Sequence, residues 1–196
     1  MDTASETTTT SRLSPAPAAA RAATWDVDTS HANAGFKVRH LMVSHVRGHL
    51  GPVTGTVFID EQDLARSRVD VTIDARGIDS REPKRDEHLR SADFLDVATH
   101  PTLEFRSTGL THKRGEKFVL TGDLTIRGVT RPVELDLEFD GVARSPFGKD
   151  VIAFTASTEF DREDFGITWN VALETGGVLV SKKVAVQISV QAVREV

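Results

Sequence analysis

Val133-Glu134-Leu135-Asp136-Leu137-Glu138-Phe139-Asp140 alternates apolar and acidic residues without a break. Successive side chains of a β-strand point to opposite faces. The stretch therefore has one wholly apolar face and one wholly carboxylate face, the pattern of a strand buried on one side. The same period extends in both directions. Val69, Val71 and Ile73 alternate with Arg68, Asp70, Thr72 and Asp74. Phe118, Leu120, Leu124 and Ile126 share a face that Gly122 interrupts. Ile152, Phe154, Ala156 and Phe160 form another face, as do Val184, Val186, Ile188 and Val190. Phe36, Val38 and His40 lie opposite Lys37 and Arg39; Val53, Val57 and Ile59 make a further strand, and Leu103 and Phe105 another.

About eight strands result, joined by turn-rich links at residues 60–67, 127–130 and 141–148. Each must hide one apolar face. A sandwich and a closed barrel both do so, and a barrel also removes the sheet edges. One stretch reads as helix: residues 84–91 (KRDEHLRS), after Pro83, with Asp86 and Arg90 spaced for an i,i+4 pair. Phe94 and Leu95 follow and are placed to plug one end of the barrel.

Composition narrows the function. The formal charge is −5, and Lys and Arg are spread along the chain, so a nucleic-acid footprint is missing. There is no Cys and no Tyr, which excludes disulfides and thiolate metal sites. No Gly-x-Ser-x-Gly motif and no phosphate-binding glycine loop is present. No apolar run reaches the ~20 residues a membrane helix needs. Residues 1–23 are mostly Thr, Ser, Ala and Pro, with Leu13 the only large apolar residue besides Met1. This stretch reads as a disordered tail ahead of one domain at residues 24–196, with some helix open to the alanines of residues 18–23. It has no signal-peptide core, so the expected location is cytoplasmic.

Several pieces, in order, carry a family resemblance. They are Ser30-His31; Phe36-Lys37-Val38-Arg39-His40; the glycine-rich turn Arg47-Gly48-His49-Leu50-Gly51 leading to Gly55; Arg85-Asp86-Glu87-His88-Leu89-Arg90-Ser91 with Asp93-Phe94-Leu95-Asp96; Pro101 with Phe105-Arg106-Ser107; Gly122-Asp123-Leu124-Thr125-Ile126-Arg127-Gly128-Val129-Thr130; Asp161-Arg162 with Asp164-Phe165-Gly166-Ile167; and Trp169-Asn170. Over residues 25–193 the chain resembles the YceI-like, lipocalin-like family associated with polyisoprenoid binding. It departs from that pattern at Leu50 and Val53, where the family usually has aromatic residues.

The resemblance implies an all-β fold: a closed eight-stranded antiparallel lipocalin-like barrel with one short helix near its mouth. It also implies a long isoprenoid (polyprenyl or quinone) or fatty-acyl chain held in the interior, with no cofactor and no catalysis. The residues expected to line that interior are Phe36, Val38, His40, Val57, Val69, Val71, Ile73, Phe94, Leu103, Phe105, Leu135, Leu137, Phe139, Phe154, Phe160 and Trp169. Arg85, Asp86, His88 and Arg162 are candidates for a polar rim that orients a head group, since arginine suits bidentate contact with carboxylate or phosphate. Self-paired structural roles are the alternative for these four. The period alone does not separate a lined cavity from a packed core.

His40, His45 and His49 do not form a metal set, because an odd spacing sends His40 and His45 to opposite faces and no Cys completes the site. His40 continues an inward face, so it reads as a buried, hydrogen-bonded residue or as a contact to a head group. An enzyme acting on a lipophilic substrate, with His40 as general acid or base, is the alternative function. A homodimer is also open.

Overall fold

The structure is a computed structural model and describes residues 22–174 and 176–194. The strands are β1 (Ala22–Val27), β2 (Asn33–His40), β3 (Ser44–Leu50), β4 (Val53–Asp60), β5 (Arg68–Asp74), β6 (Thr102–Arg114), β7 (Lys117–Ile126), β8 (Val129–Arg144), β9 (Asp150–Asp161) and β10 (Val180–Arg194). Every pairing is antiparallel. The order β1-β4-β5-β6-β7-β8-β9-β10 closes on itself when β10 returns to β1 at Asp26–Val193 and Val27–Ala192.

Ten segments thus make eight staves. β1 and β2 share one edge of β10, β1 against Val193 and Ala192 and β2 against the part from Val180 to Ser189. Between them Asp28 caps a single 3₁₀ turn, Thr29–His31. β3 pairs with β2, and β4 continues beyond it after Gly51 and Pro52. Gly51 passes so close to the turn Ala75–Gly77 that an added Cβ would collide with the Asp74 carbonyl and lie 2.9 Å from Gly77 Cα. Only glycine permits that approach.

Four expectations are corrected here. Residues 47–51 are not a turn; most of them belong to β3. β1 begins at Ala22, inside the stretch read as tail; the rest of that stretch, residues 1–21, lies outside the described residues. Gly141 is a bulge within β8, so the β8–β9 loop is residues 145–149. The helix α1 (Pro83–Arg90) forms, but its Asp86–Arg90 pair does not. The Glu82 side chain caps α1 by accepting from Lys84 N and Arg85 N, which satisfies amides the helix leaves free. Asp86 instead accepts from Ser80 N, and Arg90 donates to the carbonyls of Arg76 and Ile78.

Apolar packing is distributed around the wall. One cluster near α1 contains Val53, Phe94, Ile126, Phe165 and Ile167. A second joins Trp25, Val57, Ile152 and Ala192, and a third Leu120, Leu135 and Ala156. Inward residues between them, such as Val184, Val186, Val190 and Leu137, are only half-buried. The barrel axis is hollow. Among the described residues no helix is long and apolar enough to cross a membrane.

Candidate ligand cavity

The hollow is a cavity of about 1830 Å³ lined by side chains from all ten strands. That is about twelve times the ~150 Å³ cavity known to hold one benzene. A packed core is therefore not the structure of this barrel. Lining residues run along β8 from Val133 to Arg144 and along β10 from Val180 to Arg194, so the space is long as well as large.

The structure places all sixteen predicted interior residues on the cavity wall: Phe36, Val38 and His40 of β2; Val57 of β4; Val69, Val71 and Ile73 of β5; Leu103 and Phe105 of β6; Leu135, Leu137 and Phe139 of β8; Phe154 and Phe160 of β9; and Phe94 and Trp169 from the segments near α1. The alternation that buries one face of each strand aims these side chains inward. Lining residues outside the predicted set include Trp25 of β1, Val46 and Leu50 of β3, and the even-numbered apolar faces of β7 and β10. The signal for β7 and β10 is the same period-2 face. Trp25 and Val46 sit in segments too short, or too interrupted by glycine, to declare themselves.

The polar side chains of the lining segregate. Near α1 stand Arg85, His88, Arg162 and His40. Glu61, Glu116, Arg144, Asp150 and Arg194 lie at the opposite end, beside the tips of the β6–β7 and β8–β9 hairpins. Arg85 donates from Nε to Ser80 Oγ (2.7 Å) and from its terminal amine to the Ser80 carbonyl (2.7 Å). Ser80 Oγ donates in turn to Asp86. Asp86 is 6% exposed and does not line the cavity, which corrects its assignment to the rim. It holds the 79–86 segment together from behind.

His88 Nε2 meets Asp93 Oδ2 at 2.9 Å, and its ring packs edge-on against Phe94 (5.0 Å) and Trp169 (4.6 Å). Arg162 is 3% exposed and forms no ion pair among the described residues. Its guanidinium donates to the backbone carbonyls of Ile167 (2.7 Å), Ser181 (3.0 Å) and Val180 (3.5 Å). Burial lowers its pKa, and the nearby carboxylates of Glu163 and Asp161 oppose that shift; a guanidinium stays charged regardless. A cation bonded to backbone carbonyls rather than to a carboxylate thus sits in the wall of an apolar space.

His40 faces the cavity, but it is only half-buried and its ring makes no hydrogen bond among the described residues. The hollow leaves its ring without the close neighbours a packed core would supply, which corrects the reading of a buried, hydrogen-bonded residue. His45 lies outside, opposite Arg39, and His49 Nδ1 meets Asn33 Oδ1 at 3.0 Å. Among the described residues no three His, Cys, Asp or Glu side chains converge.

Known proteins share this architecture. A UPF0312 protein of Vibrio parahaemolyticus is 37% identical over 153 residues, covering 77% of this chain and 81% of the relative. The crystal structure of a Campylobacter jejuni YCEI protein superposes with a TM-score of 0.68 at 29% identity, covering 81% of this chain and 90% of that one. A polyisoprenoid binding domain from Saccharophagus degradans superposes with a TM-score of 0.61 at 12% identity, covering 86% and 97%, a likeness of fold alone. A model of the YceI-like domain matches residues 25–192, and the chain belongs to that family.

Proposed function

We propose that the barrel binds one long, flexible apolar chain, an isoprenoid or a fatty-acyl lipid, and carries or sequesters it without chemical change. The observation behind this reading is the cavity of about 1830 Å³ with its apolar wall. Each methylene moved from water into such a space contributes about 0.8 kcal/mol, less the ordering of the ligand. A slender chain meets more of a long cavity wall than a compact molecule of equal volume. The name of the S. degradans neighbour fits the same ligand class.

Arg85, His88 and Arg162, with His40 beside them, are the groups that would receive the polar end. No catalytic arrangement favours the enzyme reading, because His40 has no hydrogen-bond partner among the described residues to orient it as acid or base. The test is uptake by chain stripped of lipid, followed by native mass spectrometry with a prenyl quinone and with oleate. One chain per barrel, with mutual competition, is expected. Substituting inward Leu135 and Ile188 with Glu should reduce uptake at least tenfold. A stripped protein that takes up neither probe would overturn the proposal.

A further inference from the structure

The β2–β3 hairpin is unlike the rest of the surface. Residues 29–59 contain no Asp or Glu, although the chain holds 29 acidic residues elsewhere. On the outer face Lys37 stands opposite Arg47, and Arg39 opposite His45. Like charges placed directly across a strand pair are unfavourable. Yet Lys37, Arg39 and Arg47 form no ion pair among the described residues. On β10, the neighbour opposite Lys37 is Ala185, and Lys183 lies two residues along the same face. Asp79, which bridges to His49, is at the root of the hairpin, away from the tip. Desolvation, then the charges of Lys37, Arg47 and Arg39, lowers the pKa of His45.

The tip is equally unusual. Leu41, Met42 and Val43 are exposed, Val43 to 84%. Leu41 N donates to Leu179 O and Leu179 N to Val171 O, which places exposed Val171 beside them. Leu41 and Met42 both have positive φ (52° and 63°), and Val43 N closes the turn on His40 O. A tight turn whose two central residues both have positive φ favours Asn-Gly or similar pairs; the β7–β8 turn supplies Arg127-Gly128. Leu-Met adopts this geometry at a steric cost and leaves two apolar side chains in water.

Unpaired cations around a strained apolar tip match the interface of a bilayer, where apolar side chains enter and Lys or Arg meet head groups. We propose that the β2–β3 hairpin docks the protein on an anionic lipid bilayer, with Leu41, Met42 and Val43 inserted and Lys37, Arg39 and Arg47 on the lipid head groups. The inner faces of the same strands, through Phe36, Val38 and Val46, form the cavity wall. Docking is a property of the outer surface and does not depend on which chain the cavity holds. With a net charge of −5 over the chain, a hairpin free of carboxylates is repelled least by an anionic surface.

The experiment is co-sedimentation of the full chain with vesicles of phosphatidylcholine alone or mixed with phosphatidylglycerol. Binding is expected only to the mixed vesicles and should weaken as salt rises. Each cation contributes about fivefold, so Lys37→Gln/Arg39→Gln/Arg47→Gln should lower partitioning about a hundredfold. Met42→Ser/Val43→Ser should lower it several-fold, and Phe147→Ser, at the far end of the barrel, should leave it unchanged. If the triple variant fails to melt cooperatively, Arg39→Gln alone decides, with about a fivefold loss expected. The proposal is overturned by binding that survives these substitutions, that is equal on neutral vesicles, or that depends on Phe147. Absence of vesicle binding, or a preference for duplex DNA with the same cation dependence, would overturn it too.

Discussion

The two ends of the barrel are finished in opposite ways. At the α1 end, residues 75–97 and 162–179 bring polar groups into the interior and satisfy them there: Arg162 on three carbonyls, Asp86 and Arg85 on Ser80, Arg90 on the carbonyls of Arg76 and Ile78. At the other end the β6–β7 and β8–β9 hairpins project into solvent, with Phe147 88% exposed and charges paired near the surface as Arg144–Asp150–Arg194. A buried polar group that loses its partner keeps its full desolvation penalty. An exposed pair returns to water, and its loss is small. Stability should therefore be concentrated at the α1 end, which is also where the cavity offers its cations.

The sharpest test of that asymmetry removes one arginine from each end. Arg162→Met removes the guanidinium donor from the carbonyls of Ile167 and Ser181, while Val180 O keeps Asn170 Nδ2, and should destabilise the protein by about 3 kcal/mol. Arg144→Met should change stability by less than about 1 kcal/mol. Urea denaturation of both variants reads the difference, and equal losses would break the comparison. Next in size is Ser80→Ala. It removes the hydroxyl that accepts from Arg85 and donates to Asp86, at about 2 kcal/mol for the groups left unpaired. Ser80→Thr, which keeps the hydroxyl, should restore most of it.

The α1 end is also where sequence and structure part. The eight staves follow from period-2 alternation, and the same faces aim Leu135, Phe154 and Val71 into the cavity. β3 alternates too, with Val46 and Leu50 inward, but Gly48 occupies the inward position between them and reads as a turn. Its reason is tertiary: a Cβ there would sit 2.6 Å from the Phe36 ring and 2.5 Å from the Asp79 carbonyl. Asp86 has the spacing of a helix-surface pair, and only the fold of residues 79–81 back over α1 turns it into an acceptor for Ser80. Nor does alternation specify the emptiness of the barrel, because it fixes where a side chain points and not how far away the opposite wall stands.

A second pair of substitutions compares one aromatic from each end. Phe147 is large, but it touches little. Phe147→Ser should shift stability by no more than about 0.5 kcal/mol, whereas Phe165→Ser, at a fully buried position near α1, should cost several times as much. Thermal melts of the two variants check it.

The smallest effect is a pH dependence. The Arg144 hydrogen bond, with further help from Arg194, lowers the pKa of Asp150 below its usual value against the opposing pull of desolvation. A carboxylate whose folded pKa is depressed stabilises the fold above its unfolded value, ~3.9, and loses that contribution as pH falls through the folded value. Asp150→Asn should therefore melt slightly below the parent protein at neutral pH, with the gap constant down to the ordinary carboxylate range and closing below it. Asp74 is depressed in the same direction by Arg76 at the α1 end, so the parent protein should keep part of its acid sensitivity when Asp150 is replaced. A gap that widened on acidification would mean that Asp150 is held protonated, and the surface-pair account of the hairpin end would fail.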